Sequence, residues 1–230
     1  MSAVRACHDP PDKYNMQKNI LDIPGWMNEK DLKILHTLAS YVPENGSILE
    51  IGSFLGLSTT SLYRGKHKSV SLEVIDNFNT LKTENFKNMK FSLRHSTEYE
   101  DFEKINQIVT EQGWHEGFRY CIGDEMYNDI SVKVTSSELY NRDNNFNLTF
   151  IDGSHTYGSV KHDIIKYATD DNLLVGDDYA KQFAGVLMAV GENRNAKTLI
   201  VSEKAKIWIL VPCFGYWRDV FKNNNLLFLD

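Results

Sequence analysis

Acidic residues follow several of the apolar runs in this chain of 230 residues. Glu50 and Asp76 end two such runs, Asp152 ends a third, and the pair Asp177-Asp178 follows a fourth. Because the carboxyl ends of parallel strands share one edge of a sheet, these carboxylates are expected to converge there. Carboxylates held close together raise one another's pKa unless a cation balances them. A hard divalent ion such as Mg²⁺, which prefers oxygen ligands, would supply that balance.

A histidine stands close to one of these acidic residues. His155 follows Asp152 by three positions, in the turn Asp152-Gly153-Ser154-His155. It is a candidate general base, because an ordinary histidine pKa of about 6.5 suits proton transfer at neutral pH. The chain contains seven histidines, so chance could place one beside any motif. Helix capping is the alternative role for Asp152 and for the pair Asp177-Asp178.

The stretch from residue 46 to residue 62 combines an apolar run, a turn with Gly52 and Gly56, and a segment that can be helical. This order indicates a buried strand, a glycine-bearing turn and the start of a helix. Glycines at such a turn let backbone amides approach a ligand, and a helix N-terminus favours an anionic group. The G-x-G-x-x-G pattern of dinucleotide folds is absent, and a purely structural turn is the alternative.

The elements that must position these residues alternate along the chain. Strands are predicted at Val70–Asp76, Phe146–Asp152 and Leu173–Val175, with a helix at Tyr157–Ala168 between the last two. Another helix is expected to begin near Gly25-Trp26. Such alternation predicts a mostly parallel sheet with helices on both faces.

The last predicted strands form a hairpin. The runs Thr198–Ser202 and Lys206–Val211 are rich in β-branched and apolar residues and are separated by a short turn. That spacing is typical of two antiparallel neighbours.

Two runs compete for the third strand, Phe118–Gly123 and Ile130–Thr135. The second is preferred because it alternates more clearly, and the first is then placed in the helix before it. Residues 77–117 exceed a simple crossover and predict an insertion, with one helix at Phe102–Gln112 and loop on either side. Residues 1–24 are predicted to be an N-terminal arm or cap, and residues 25–230 one domain.

Composition restricts the partners and the compartment. A formal net charge of −6 argues against nucleic acid, because phosphate binding needs clustered Lys and Arg. Cys7, Cys121 and Cys213 lie too far apart for a metal or disulfide pattern, which favours a reducing cytoplasm. No apolar run approaches the roughly 18 residues of a membrane span, and no basic, apolar signal opens the chain. We therefore expect a soluble cytoplasmic protein.

The chain resembles the class I S-adenosylmethionine-dependent methyltransferases in four ordered segments: GWMNEKDLKILHTLASYVPENGSILEIGSFLGLST, VIDNF, FIDGSHTYGSVKHD and LLVGDDY. Within that class it is most similar to the small metal-dependent O-methyltransferases, which include the macrocin-type sugar methyltransferases and the catechol type. The resemblance covers roughly residues 25–78 and 130–211. It implies a Rossmann-like, doubly wound α/β fold whose mostly parallel seven-stranded sheet ends in an antiparallel hairpin.

The resemblance also implies contacts to S-adenosylmethionine at eight positions, which are Glu50, Gly52, Phe54, Gly56, Ser58, Asp76, Ser136 and Asp152. Gly52 and Phe54 would form the surface that contacts the methionine part of the cofactor. Ser58 would meet its carboxylate, and Glu50 its ammonium group through water. Asp76 would accept hydrogen bonds from both ribose hydroxyls.

The remaining implied roles concern the metal, the base and the adenine. Asp152, Asp177 and Asp178 fall where the family places three ligands of Mg²⁺ or another divalent cation. His155 falls where members place a general base. Ser136 or its neighbour Ser137 would contact the adenine.

These roles together predict an O-methyltransferase that acts on a small-molecule hydroxyl, such as one of a sugar or another vicinal diol. The alternatives are a metal-independent methyltransferase and a non-catalytic S-adenosylmethionine-binding protein. An NAD-dependent oxidoreductase is disfavoured by the glycine pattern. The chain departs from the family at Asp170-Asp171-Asn172, where many relatives have a Pro-Gly-Gly-like turn. Assembly into a homo-oligomer is compatible with the sequence.

Overall fold

The computed structural model describes residues 20–79, 82–91, 99, 101–141, 145–194, 197–202, 205–224 and 226. Most of the predicted N-terminal arm, up to residue 19, lies outside the described residues, as does part of the predicted insertion. None of the described helices is long and apolar enough to cross a membrane.

Seven strands of the described chain form one sheet in the order β3-β2-β1-β4-β5-β7-β6. The strands are β1 (Ser47–Ile51), β2 (Ser71–Asp76), β3 (Ser131–Val134), β4 (Leu148–Ile151), β5 (Leu173–Gly176), β6 (Thr198–Val201) and β7 (Trp208–Val211). Strands β1 to β5 pair with one another in parallel. Strand β7 pairs antiparallel with both β5 and β6. The predicted doubly wound, mostly parallel sheet with a C-terminal antiparallel hairpin is confirmed.

Eight α-helices lie in the described part of the chain. They are α1 (Glu29–Ser40), α2 (Leu57–Gly65), α3 (Phe102–Gln112), α4 (Trp114–Ile122), α5 (Asp124–Asp129), α6 (Tyr157–Tyr167), α7 (Ala184–Asn193) and α8 (Tyr216–Asn223). Short 3-10 turns occupy Thr83–Asn88 and Lys181–Phe183.

The first helix begins later than the sequence pattern predicted. Helix α1 starts at Glu29 because Asn28 caps it, accepting hydrogen bonds from the backbone amides of Lys30 at 2.8 Å and Asp31 at 3.1 Å. The Asp31 carboxylate in turn accepts from the Asn28 amide at 3.0 Å. This reciprocal capping box, and not the glycine at position 25, sets the helix boundary.

The third strand is the preferred candidate. Strand β3 pairs with β2 in a register that places Val132 opposite Val74, whereas the competing run at 118–123 lies almost wholly in helix α4. Helix α3 has the predicted bounds. The loop expected after it is wrong, because the chain turns at Gly113, with φ +94°, and continues as helices α4 and α5.

The core lies on both faces of the sheet. Ile48 packs in the cluster that contains helices α1 to α4, while its neighbour Leu49 packs in the opposite cluster with α6 and α7. Every residue of β4 and β5 is buried, as a parallel strand covered on both faces requires. The strand order reverses between β1 and β4, and ligands of open α/β sheets bind beside such a switch point.

Candidate active site

A cavity of about 730 Å³ opens at the carboxyl ends of the parallel strands. Its walls come from the turns after β1, β2 and β4, from the segment after β3, and from Asp177 and Asp178 after β5. Gly25, Trp26 and Met27, which precede α1, and Lys206, which precedes β7, also line it, as do residues of α4, α6 and the 3-10 turn before α7. The fold therefore brings four of the five strand-end carboxylates, those of Asp76, Asp152, Asp177 and Asp178, to one cavity.

The turn after β1 requires glycine at its first position. Gly52 has φ +85°, and a Cβ atom there would lie 2.4 Å from the backbone oxygen of Asp152. Both the backbone conformation and the close approach of the turn after β4 exclude a side chain. Gly52 therefore allows the ends of β1 and β4 to meet beneath the cavity.

Asp76 joins the turns after β1 and β2. Its Oδ2 accepts hydrogen bonds from the backbone amides of Ser53 at 2.8 Å and Phe54 at 3.0 Å. Its Oδ1 accepts from the amide of Phe78 at 2.7 Å. Oδ2 also accepts from the Ser53 hydroxyl at 3.3 Å. Each carboxylate oxygen offers about two lone-pair sites, so Oδ1, with one donor among the described residues, is the oxygen of Asp76 that keeps acceptor capacity at the cavity.

Left-handed backbone is concentrated at this cavity. Phe54 with φ 49°, Phe78 with φ 49° and Asp178 with φ 63° all line it, and Asn45 is the remaining non-glycine residue with positive φ in the described chain. Such conformations cost on the order of 1 kcal/mol or more each and cluster at ligand sites. The strain indicates that these turns are shaped for a ligand.

Glu50 lies behind the glycine turn. It is fully buried and accepts hydrogen bonds from the hydroxyls of Ser58 at 2.5 Å and Thr59 at 2.6 Å. Burial raises the pKa of Glu50 to about 8, so its neutral form is favoured at neutral pH. Glu50 does not itself line the cavity, and its predicted contact with the cofactor ammonium group stays a prediction.

Helix α2 starts at the cavity without a side-chain cap. Leu57 and Ser58, its first residues, line the cavity, and the N-terminus of a helix favours an anionic group. Gly56, with φ +90°, instead faces α4, since a Cβ there would lie 2.3 Å from Ile122. The structure thus gives Gly56 a packing role and places Ser58 at the cavity wall.

Asp152, His155 and Asp178 converge at the turns after β4 and β5, with one ligand atom from each within 4.8 Å of the others. His155 Nε2 lies 3.0 Å from Asp178 Oδ2 and 3.8 Å from Asp152 Oδ1. Lys206 Nζ lies 3.0 Å from Asp178 Oδ1 and 4.0 Å from Asp177 Oδ2. The cluster contains three carboxylates, one imidazole and one ammonium group.

The pKa shifts in this cluster show an excess of negative charge. Burial, with the neighbouring carboxylates, raises the pKa of Asp152 to about 6 and that of Asp177 to about 8. The pKa of His155 is raised mainly by Asp152 and then by Asp178, although Asp178 lies closer to the imidazole. Burial lowers the pKa of Lys206, but the carboxylates outweigh it and the net shift is upward.

These residues fit a divalent cation. Asp177 Oδ1 is buried and has no hydrogen-bond partner among the described residues. Oxygen donors with one imidazole suit a hard or borderline ion, and an added cation would relieve the repulsion that raises the pKa of Asp152 and Asp177. The three groups that converge most closely include His155 in place of Asp177, so Asp177 as a direct ligand stays a prediction.

No protein-family model matches this sequence, and no curated protein matches it either. Solved structures do match. A methyltransferase from Geobacter sulfurreducens superposes with a TM-score of 0.54 at 12% identity, over 80% of this chain and 78% of that chain. A protein from Corynebacterium glutamicum gives a TM-score of 0.53 at 14% identity, over 84% and 85%.

A third match adds a bound ligand. The O-methyltransferase TomG from Streptomyces achromogenes, solved in complex with S-adenosylmethionine, gives a TM-score of 0.50 at 14% identity, over 80% of this chain and 81% of that one. The chain has the class I methyltransferase fold. Identities this low establish the fold alone, so the chemistry has to be argued from the site.

Two charged residues of this methyltransferase fold were missed by the sequence analysis. Lys206 reaches the carboxylate cluster from the β6–β7 hairpin, and its backbone amide donates to Asp31 Oδ1 at 3.1 Å. Asp31 is fully buried, and burial raises its pKa. The capping pattern from Asn28 to Asp31 could have identified Asp31, but no local pattern marks Lys206.

An aromatic wall borders the cavity on the side of α1 and α4. The ring of Phe54 lies 4.7 Å from that of Trp26 and 5.0 Å from that of Trp114, centroid to centroid. Trp26 is 39% exposed and donates from Nε1 to the backbone oxygen of Lys90 at 2.8 Å. The rings are tilted by 36° and 41° to that of Phe54, and the wall gives this part of the cavity an apolar, aromatic surface.

The segment after β3 forms the other end of the cavity. Ser136 and Ser137 line it, and a contact of either residue with adenine stays a prediction. The Ser137 carbonyl accepts hydrogen bonds from Lys166 Nζ at 2.5 Å and from the hydroxyl of Tyr167 at 3.2 Å. Helix α6 therefore holds this segment in place.

Proposed function

We propose that this protein is an S-adenosylmethionine-dependent O-methyltransferase, assisted by a divalent cation, that acts on one hydroxyl of a small vicinal diol such as a sugar. One observation carries the proposal. The strained glycine turn with Asp76, and the cluster of Asp152, His155 and Asp178, line the same cavity of a methyltransferase fold. One of the matched structures holds S-adenosylmethionine.

The residues of the first turns would bind the methyl donor. S-adenosylmethionine supplies a methyl group on an electrophilic sulfonium centre. The start of α2 at Ser58 suits the anionic carboxylate of its methionine part, and Asp76 Oδ1 suits a ribose hydroxyl. Positioning is the main catalytic contribution open to the chain, since orientation can lower a barrier by about 7–11 kcal/mol.

The carboxylate cluster would hold the cation and the acceptor. Asp152 and Asp178, with Asp177 beside them, are the residues that would hold the ion. A divalent ion lowers the pKa of an oxygen bound to it. His155 would take the proton of the attacking hydroxyl, because its Nε2 lies among these carboxylates at the cavity wall.

The acceptor is expected to be small. A cavity of about 730 Å³ must hold both the methyl donor and the acceptor. The rings of Trp26, Phe54 and Trp114 offer an apolar, aromatic surface against which the face of a sugar or of an aromatic diol could pack. The net charge of −6 disfavours a nucleic acid as the acceptor.

Calorimetry tests the donor and the cation separately. Wild-type protein is titrated with S-adenosylmethionine, with S-adenosylhomocysteine and with NAD, and then with Mg²⁺ or Mn²⁺ alone. We expect the first two ligands to bind, NAD not to bind, and the metal to bind to the wild type but weakly to Asp178→Asn. Binding of NAD without S-adenosylmethionine would overturn the proposal.

Turnover tests the base and the metal. Release of S-adenosylhomocysteine is measured with catechol and with simple methyl glycosides as acceptors, with and without excess chelator. We expect chelator and Asp177→Ala to suppress the rate, and His155→Ala to lower it by about 10²–10⁴-fold. The control is His67→Ala, which alters an exposed histidine that does not line the cavity. Full turnover in excess chelator would contradict a catalytic role for the metal.

A metal-independent methyltransferase is a second candidate, favoured by Lys206. Its ammonium group already lies 3.0 Å from Asp178 and could balance part of the charge without a metal. In that case turnover would persist in chelator and would be lost in Lys206→Met. Binding of the donor without any turnover would instead favour a non-catalytic protein.

A further inference from the structure

The start of helix α7 packs directly against the turn that carries His155. Gly185 is the second residue of α7, and a Cβ atom there would lie 2.7 Å from the backbone nitrogen of Tyr157 and 2.8 Å from the backbone oxygen of His155. Gly185 is not among the residues with positive φ, so this position requires glycine for space and not for backbone conformation. The backbones of the two segments therefore approach closely beside the candidate base.

Phe183, two residues before Gly185, contacts the imidazole itself. The centroid of its ring lies 4.8 Å from that of His155, at an interplanar angle of 69°. Aromatic pairs prefer such an edge-to-face arrangement to a face-to-face sandwich. Phe183 is half-buried and packs against the hydrophobic cluster of β4, α6 and α7, which supports its ring.

The carboxylate cluster holds only one end of the imidazole. Nε2 of His155 lies 3.0 Å from Asp178 Oδ2, while the His155 side chain as a whole is 42% exposed. A half-exposed side chain has several staggered rotamers open to it unless a neighbour blocks them. The ring of Phe183 is such a neighbour.

One short segment carries both partners of the imidazole. Phe183 follows Asp178 by five positions, and two backbone hydrogen bonds fold the chain between them. The amide of Ala180 donates to the carbonyl of Asp178 at 2.8 Å, and the amide of Phe183 donates to the carbonyl of Ala180 at 2.8 Å. The carboxylate and the aromatic ring that contact His155 therefore belong to one compact segment.

We infer that Phe183 and Gly185 are positioning residues, through which the start of α7 holds the His155 imidazole with its Nε2 toward Asp178. This inference rests on the proposed function, in which His155 takes the proton of the acceptor. Phe183 acts through its contact with the imidazole, and Gly185 through the close approach of α7 to the turn. A displacement of about 1 Å at a reacting group can lower a rate by about 10²-fold.

Nuclear magnetic resonance measures the order of the imidazole without any turnover. The ring signals of His155 are identified by their loss in His155→Ala, and all samples contain chelator so that no bound ion holds the ring. We expect an order parameter of about 0.8 for the ring C–H bonds in the wild type, falling below about 0.6 in Phe183→Leu. The matched control is Phe214→Leu, the same substitution at a residue that is 76% exposed, which keeps the wild-type value.

Gly185→Ala tests the approach of α7 separately. The added Cβ must displace the turn at His155, so the ring signals should shift and kcat should fall by roughly 10- to 100-fold, with the Kd of S-adenosylhomocysteine unchanged. Gly191→Ala is the control on the same helix, because a Cβ there meets nothing within 4 Å among the described residues. Equal ring signals and equal kcat in the two variants would overturn the role of Gly185.

Kinetics distinguish positioning from a direct contact of Phe183 with the acceptor. Phe183→Leu is expected to lower kcat by roughly 10- to 100-fold with little change in KM, and Phe183→Tyr, which keeps the ring, to retain most of the activity. In His155→Ala the same Phe183→Leu substitution should have almost no further effect, because the two residues act as one unit. A raised KM with unchanged kcat, or an equal loss in the His155→Ala background, would overturn the positioning role.

The inference and the proposed function fail in different ways. Wild-type protein that binds no S-adenosylhomocysteine would contradict the proposed function itself. A wild-type order parameter below about 0.6 for the imidazole would overturn the inference even if no variant folds. Wild-type protein that turns over, while Phe183→Leu keeps both its kcat and its ring order, would contradict only the positioning role.

Discussion

At the scale of single residues, Glu50 shows how burial changes the behaviour of a carboxyl group. Its place at the end of β1 suggested a ligand contact, but both of its oxygens accept hydrogen bonds from hydroxyls of α2. The Ser58 and Thr59 hydroxyls lower the pKa, yet burial outweighs them. Glu50 therefore ties the strand to the helix that follows the glycine turn.

The raised pKa predicts a pH dependence of stability. The folded-state pKa of Glu50 is about 8, above the ordinary value of 4.5, so the folded protein binds the proton more tightly than the unfolded chain. The stabilising contribution is complete below about pH 4.5 and is lost as pH rises through about 8. Between about pH 5.5 and 8.5 the wild type should lose on the order of 2–3 kcal/mol of unfolding free energy relative to Glu50→Gln.

Urea unfolding at both pH values, in chelator, measures this difference. Asp152 and Asp177 also have raised pKa values, but their contributions cancel in the comparison of the wild type with the variant. Glu44→Gln, at an exposed position, is the control and should follow the wild type. Parallel pH profiles for the wild type and Glu50→Gln would contradict the buried, neutral carboxyl group.

At the scale of elements, the turn after β1 is where backbone geometry controls the site. The alanine Cβ in Gly52→Ala would lie 2.4 Å from a backbone oxygen, at φ +85°. Backbone atoms of two strand ends cannot easily move apart, so we expect a loss of about 3 kcal/mol or more in unfolding free energy. Binding of S-adenosylhomocysteine should be lost with it.

Gly158→Ala is the matched control. Gly158 lies in the first turn of α6, and a Cβ there meets nothing within 4 Å among the described residues. Alanine should leave stability unchanged or raise it by up to about 1 kcal/mol. Urea unfolding of the two variants checks the contrast, and similar stabilities would show that the turn can relax.

The hairpin is a second element with a role in the site. Strand β7 lies between β5 and β6, so Lys206, two residues before β7, reaches the acidic cluster after β5. Asp31 at the start of α1 accepts a hydrogen bond from the backbone amide of Lys206. The first helix and the last hairpin therefore meet at the same group of charges.

At the scale of the whole molecule, the cavity links ligand binding to stability. Residues at the carboxyl ends of the five parallel strands line it, so a ligand there contacts segments distant in sequence. S-adenosylhomocysteine at 100 times its Kd should stabilise the folded protein by about 2.7 kcal/mol. For a chain of this size that corresponds to a rise in Tm of roughly 5–10 °C.

A thermal melt with and without the ligand measures the shift. The comparison variant is Asp76→Ala, which removes the acceptor oxygen proposed for the ribose, and its shift should be clearly smaller. Each protein is compared with its own ligand-free melt, because Asp76 also accepts hydrogen bonds from backbone amides of the turn. Equal shifts in the two proteins would contradict the role of Asp76.

The sequence alone determined most of the elements of this fold. Apolar runs and turn residues are local signals, and they placed β1, β2, β4, β5 and the hairpin close to their observed bounds. The alternation in residues 130–135 identified β3 correctly. The acidic strand ends were recognised for the same reason, because a parallel sheet brings its carboxyl ends to one edge.

The tertiary structure decided which side chains meet and which are buried. Lys206 reaches Asp178 because β7 is inserted beside β5. No local sequence pattern predicts this strand order. The pKa of Glu50 depends on how helix α2 covers the sheet, and the contact between Phe183 and His155 depends on how α7 packs against α6. Burial and pairing of this kind result from contacts between distant segments, whereas periodicity and turn chemistry depend on neighbours in the chain.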